Sequence, residues 1–298
     1  MFFFSRVLAL FLLFVVPLVA GDGDGRKLRI VVFGAHPDDA EYKAAGTAVK
    51  WARLGHEVKL VSVTNGDIGH WGEAGGPLAQ RRTAEVAACA KKLGVTSQVL
   101  DIHDGELLPT LENRKLITRV IREWKADIVI SHRPWDYHPD HRYVGVLVQD
   151  AAFMVTVPFI VPDVPHLKKN PVFLYSSDGF QKPYPFTPDV AVSVDDSFDQ
   201  KVDGIHELTS QAYEGGATGS AEYVAKEVPP VSDEVGRRAW LKRRWAVRQS
   251  AEADRFRDLL VKIYGQERGK AVKYAETYEV CEYGRRPSAE ELRLLFPF

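Results

Sequence analysis

The sequence predicts an α/β fold: a Rossmann-like, mostly parallel sheet with helices on both faces and an irregular C-terminal elaboration. Short apolar runs alternate with segments of helical periodicity, the pattern of βαβ units. Polar clusters sit where the apolar runs stop, and open α/β sheets bind ligands beyond those carboxyl ends. At 298 residues and 45% hydrophobic content the chain is long enough to bury such a core, so 28–298 reads as one domain.

Residues 28–33 are a short run, apolar except at Arg29, the mark of a buried strand of a parallel sheet. It gives way to His36-Pro37-Asp38-Asp39, where Pro37 suits the first turn of a helix because its missing N–H costs nothing there. Apolar periodicity over 40–54 continues that helix. Residues 57–64 read as a second strand, closed by the turn signal Asn65-Gly66-Asp67. A glycine-rich loop with His70, Trp71 and Glu73 follows, then a helix over 78–93 that ends at Gly94. Residues 99–102 form a short strand leading into His103-Asp104-Gly105. A helix over 112–124 buries Leu116, Val120 and Trp124, and 128–131 is the next buried strand. Beyond it hangs a second cluster, His138-Pro139-Asp140-His141. The stretch 158–188 is proline-rich and irregular around a strand at 172–175, with another strand at 190–194 and a helix over 198–213. Leu241, Trp245, Ala253, Phe256, Leu260 and Ile263 then recur at roughly helical spacing.

A formal net charge of −1 gives the chain no general attraction to nucleic acid or anionic lipid. Arg237-Arg238 and Lys242-Arg243-Arg244 accordingly read as the solvated face of a packing helix. At the N-terminus, Arg6 precedes an apolar run from Val7 to Ala20, followed by Gly21-Asp22-Gly23-Asp24-Gly25. That is the pattern of a secretory signal over 1–20, cleaved after Ala20, with a linker over 21–27. It implies export to a periplasmic or extracellular space, or a membrane anchor if uncleaved; Pro17 and the shortness of the run argue against a full span. Cys89 and Cys281 are the only cysteines, too few for a disulfide framework or a metal knuckle.

The two His/Pro/Asp clusters suit one divalent metal. A catalytic zinc takes three protein ligands and leaves a position for water, whose pKa it lowers to about 7. His36 and Asp39, three apart at a loop-to-helix junction, face one point, and His141 supplies the third ligand. Asp38 points elsewhere and suits a general base. His138, one turn before His141, suits an imidazolium facing a developing oxyanion. Asp140 suits a group that orients an imidazole from behind. Two histidines and one carboxylate also serve non-heme Fe(II), but nothing suggests that scaffold. No G-x-G-x-x-G follows the first strand, which speaks against a dinucleotide-binding dehydrogenase.

The motifs 35–41 and 138–141 resemble the paired signatures of the PIG-L/LmbE-like deacetylases. The likeness extends to Arg82-Thr83-Ala84-Glu85, to 101–106 and to the tail from Glu279. The resemblance implies a Rossmann-like fold, zinc on His36, Asp39 and His141, and hydrolysis of an N-acetyl group on an amino sugar or glycoconjugate. It makes Asp38 the base and His138 the partner of the tetrahedral intermediate, and it puts Arg82 and Asp104 within reach of substrate. The chain departs from the pattern at Tyr42-Lys43-Ala44-Ala45-Gly46, where many members are glycine-rich. Trp135 and Tyr137 either stack on a sugar ring or pack within their loop. The alternatives are an amidase acting on a larger N-acyl or thiol-conjugate substrate, and a carbohydrate-binding relative without catalysis.

Overall fold

The computed structural model describes residues 26–298, so the signal reading over 1–20 lies outside the described residues. The first half alternates strand and helix: β1 (Arg29–Gly34), α1 (Asp39–Arg53), β2 (Glu57–Ser62), α2 (Gly75–Leu93), β3 (Thr96–Val99), α3 (Leu111–Trp124), β4 (Ile128–Ser131) and α4 (Pro139–Met154). The second half carries β5 (Val172–Ser176), β6 (Val190–Ser193), α5 (Phe198–His206), α6 (Thr209–Ala212) and α7 (Ala221–Glu227). It closes with α8 (Glu234–Arg255), α9 (Arg257–Tyr264), α10 (Gln266–Ala271), β7 (Ala275–Gly284) and α11 (Ala289–Leu295). No helix among the described residues is long and apolar enough to cross a membrane.

The strands make one sheet in the order β3-β2-β1-β4-β5-β7-β6, with β3 through β5 parallel and β7 antiparallel to both its neighbours. Successive side chains of a strand point to opposite faces. Ile30 and Val32 of β1 therefore join Ala44 and Ala48 of α1 and Val86 of α2 in one core. Val31 and Phe33 join Ile117 of α3 and Val144 and Leu147 of α4 in the other. The chain runs outward from β1 through β2 to β3, then returns to β4 on the other side of β1. That reversal opens a crevice beyond the carboxyl ends of β1 and β4.

Four details differ from the sequence expectation. The third strand lies earlier, at Thr96–Val99. The helix expected over 198–213 breaks after His206, because the buried Glu85 carboxylate takes the Ser210 N–H and the hydroxyls of Thr209 and Ser210. The long C-terminal helix breaks at Phe256, whose ring packs on Phe186 at 5.8 Å. And the C-terminal elaboration contributes a ten-residue strand, β7, to the middle of the sheet's second half.

β7 escapes sequence reading because Glu276, Glu279 and Glu282 give it the look of a surface segment. Glu276 is nevertheless 2% exposed, and its Oε1 lies 2.7 Å from the Nζ of Lys201, which is fully buried. The same carboxylate accepts from Gly46 N at 2.9 Å, Thr47 N at 2.8 Å and the Thr47 hydroxyl at 2.6 Å. A Cβ at position 46 would stand 2.9 Å from Glu276 Oε1, so the departure from a glycine-rich stretch stops at the one glycine that close approach requires. Removing one partner of a buried ion pair leaves the other uncompensated. Glu276→Ala should therefore cost about 3–5 kcal/mol of stability, measured by urea denaturation; a loss within experimental error would show that the pair does not hold β7 to α1 and α5.

Candidate active site

β1 ends where a side chain no longer fits: a Cβ on Gly34 would stand 2.6 Å from Asp39 Cβ. Asp38 occupies the N-cap position of α1, yet its side chain makes no capping bond. The Asp39 carboxylate instead ties the helix start back to the loop before it, with Oδ2 accepting from Ala35 N at 3.0 Å and His36 N at 2.8 Å. At the start of α4 the roles differ. His138 is the N-cap, its Nδ1 accepting from Asp140 N at 3.2 Å, and Pro139 begins the helix.

These two helix starts bring three atoms together. His141 Nε2 lies 3.2 Å from His36 Nδ1, and Asp39 Oδ2 lies 3.3 Å from each of them. Zn–N and Zn–O bonds of about 2.0–2.2 Å set neighbouring tetrahedral donors about 3.3–3.5 Å apart, so the triangle matches one face of such a shell. The other nitrogen of each ring is engaged from behind. His36 Nε2 sits 3.0 Å from Asp104 Oδ1 and 3.2 Å from Asp140 Oδ2, and His141 Nδ1 sits 3.0 Å from Asp136 Oδ1. Carboxylates there hold the N–H on the outer nitrogens and turn the inner lone pairs toward the centre. Three lone pairs facing one another need a cation between them.

Residues 31–152 match the family model described as "PIG-L: GlcNAc-PI de-N-acetylase". Over that stretch the chain is similar to the PIG-L family. It is 37% identical over 136 residues to the diacetylchitobiose deacetylase of Thermococcus kodakarensis, covering 44% of this chain and 51% of that one. It is 28% identical to a probable N-acetyl-alpha-D-glucosaminyl L-malate deacetylase of Bacillus anthracis, covering 44% of this chain and 61% of that one. The chain thus spans only about half to three fifths of the curated relatives it matches. Among solved structures, the N,N'-diacetylchitobiose deacetylase of Pyrococcus horikoshii has a TM-score of 0.62 at 23% identity, covering 85% of this chain and 83% of that one. The 4-carboxy-2-hydroxymuconate hydratase of Pseudomonas putida scores 0.64 at 20% identity, covering 88% and 99%. At those identities the likeness is one of fold, and a deacetylase and a hydratase share it, so function has to be argued from the site.

Around the triangle, every residue singled out from sequence has a definite place. Asp38 faces Arg82 Nη2 at 3.3 Å. Burial and the neighbouring Asp39 push its carboxyl up to about 6, against the pull of Arg82. Arg82 is 1% exposed and also donates to Gly66 O at 3.1 Å, so its guanidinium braces Asp38 and the loop after β2 rather than facing solvent. Asp104 and Asp140 both stand behind His36; Asp140 Oδ2 also accepts from Gly105 N at 2.7 Å. Tyr137 is 73% exposed with its ring edge-on to His138 and His141, whereas Trp135 packs edge-on against Tyr184. Lys43 does not point to open solvent; its Nζ donates to Ser177 O at 2.6 Å, in the loop after β5.

The structure changes one expectation about charge. His138 is not set up as an imidazolium: its Nδ1 lone pair is committed to the Asp140 N–H, and burial with the nearby His36 and His141 rings holds its pKa below the usual histidine value. It presents a neutral Nε2–H instead. Asp136 was not singled out from the sequence, although it accepts from both His141 and His138 N. Its signal was its place within Asp136-Tyr137-His138-Pro139-Asp140-His141, one loop turn ahead of the proposed ligand. His132 is a further neighbour, stacked on His141 at 4.2 Å and accepting from Ala35 N.

Five carboxylates (Asp38, Asp39, Asp104, Asp136 and Asp140) gather here around one guanidinium, Arg82. Against burial, the Asp39 and Asp136 carboxylates raise the His141 imidazole to about 9. His36, Asp39 and His141 fit a divalent cation, with Asp104, Asp140 and Asp136 as their supports. Losing such a support typically weakens metal binding about 10–100-fold. Asp136→Ala should do so here, read by competition with a fluorescent chelator; unchanged affinity would remove Asp136 from the support of His141.

Proposed function

We propose that the chain is a zinc-dependent de-N-acetylase, with another divalent cation able to serve, that hydrolyses the acetamide of an amino sugar or glycoconjugate to acetate and a free amine. The observation that carries this reading is the convergence of His36 Nδ1, Asp39 Oδ2 and His141 Nε2 within 3.3 Å of one another, each ring nitrogen backed by a carboxylate. The substrate class is supported by the likeness of residues 31–152 to the PIG-L family and by relatives named as deacetylases of diacetylchitobiose and of N-acetyl-glucosaminyl compounds.

A divalent cation held by these three atoms supplies Lewis acidity. Asp38 stands beside the triangle without belonging to it. Its carboxylate accepts a proton from the attacking water, and a carboxyl raised to about 6 is acidic enough to pass that proton on to the departing nitrogen. Arg82 holds the same carboxylate in place from its far side. The neutral His138 Nε2–H donates to the carbonyl oxygen as it gains negative charge; a neutral donor costs no charged ground state and gives up no proton. Exposed Tyr137 offers a rigid apolar ring at the mouth for a sugar face, whereas Trp135, already packed on Tyr184, shapes the loop.

Acetate release from N-acetylglucosamine and diacetylchitobiose, with and without chelator, tests this directly. Chelation should abolish the activity and added zinc restore it. Asp38→Ala should keep the bound metal and lower turnover about 10²–10⁴-fold. Native turnover in that variant would take Asp38 out of the reaction. Hydrolysis of bulky amides in preference to both sugars would move the substrate to the larger N-acyl class.

A further inference from the structure

The opposite end of the sheet carries a second recess. A cleft of about 650 Å³ opens between the C-terminal half of α4, the start of β5 and the end of β7, lined by Arg114, Gln149, Asp150, Phe153, Asn170 and Tyr283. Phe153 follows His141 by twelve positions on the same helix, which at 1.5 Å per residue places the cleft about 18 Å from the metal triangle. Nothing in the proposed reaction uses it.

Its chemistry is specific. Two aromatic rings are left in solvent, Phe153 at 70% and Tyr283 at 56% exposure. Tyr283 is put there by an irregularity in β7: the pairing steps from Leu174↔Val280 to Val172↔Gly284, so β7 holds extra residues opposite two of β5. A bulge of that kind re-aims side chains and is a common device beside binding sites. Gly284 closes it at φ 78, a conformation suited to glycine.

The polar groups are held but not used up. Gln149 Nε2 donates to Tyr175 OH at 2.5 Å, and Tyr175 OH is fixed in turn 3.0 Å from Cys281 Sγ, within the bulge. Gln149 Oε1 thus keeps its acceptor capacity. Asn170 Nδ2 donates to Ala152 O at 2.7 Å, while its Oδ1 is shielded from solvent without a partner. Arg114 Nε and Asp150 Oδ2 satisfy each other at 2.7 Å, which cancels charge and leaves the outer guanidinium N–H groups and Asp150 Oδ1 available. The cleft therefore offers a charge-balanced pair, both hydrogen-bond donors and acceptors, and two aromatic faces. A ligand matching it both donates and accepts hydrogen bonds, carries no charge and has an apolar face: a pyranose.

We propose that this cleft binds a neutral oligosaccharide, separately from the metal triangle. Cellohexaose is the test probe, because it has no acetamide and so reports on the cleft whether or not the deacetylase reading holds. Calorimetric titration of the native chain should give a saturable site. Phe153→Ala/Tyr283→Ala should weaken it at least about tenfold, as loss of stacking anchors does, with the melting temperature unchanged because both rings are exposed. The proposal fails if the native chain does not bind cellohexaose at millimolar concentration, or if the double variant with an unchanged melting temperature binds as the native chain does. Added zinc or its removal should leave the affinity unchanged; loss of binding on chelation would assign the sugar to the metal triangle and overturn a separate site.

Discussion

Ile30, Val31 and Val32 of β1 lie in parallel register against Ile128, Val129 and Ile130 of β4, and the site exists because of that ladder. Each strand feeds a loop that turns at once into a helix, so the ladder fixes two helix starts side by side. His36 and Asp39 come from one and His138 and His141 from the other. A slip of one residue would turn every side chain of a strand to the opposite face. Both faces of β1 are packed against separate cores, so such a slip would also put each apolar side chain against the wrong neighbours. The precision of the polar cluster is inherited from apolar packing beneath it.

On that frame the cluster is built from an imbalance of charge. Carboxylates outnumber guanidinium groups, and the histidines take up the difference according to where each ring nitrogen points. His141, between two carboxylates, is drawn toward its charged form, while His132 is held neutral by burial and the neighbouring His141. His138 stays neutral by the same logic, with its acceptor nitrogen spent on the helix. A single cation at the triangle would settle the lone pairs and the charge at once. Arg82 plays a different part: a fully buried cation beside Asp38 keeps that carboxylate fixed without competing for the centre.

Much of this is legible in the chain. The apolar runs and the two His/Pro/Asp clusters are local features, and parallel sheets place such clusters together by rule. What escapes is non-local. Glu276 looks like a surface residue until Lys201 and the Gly46–Thr47 backbone are found around it. Asp136 has no identity as a support for His141 until the loop folds back on its own helix. The protonation state of His138 depends on which nitrogen the helix claims, and residue type alone does not say. Arg82 was legible as part of the site, but its burial, which decides what it touches, was not.

The placement of β7 bears on how the chain is made. Among the described residues, β6 finds its only sheet neighbour in β7, which follows it by about eighty residues. As the polypeptide emerges, β5 and β6 both present bare hydrogen-bonding edges until that late strand arrives between them. Domains tend to fold from the N-terminus during synthesis, and exposed strand edges invite association with other chains. The crevice that holds the candidate site, built from β1 to β4, is drawn from the portion that emerges early, so the vulnerable interval falls on the flank of the molecule and not on that site.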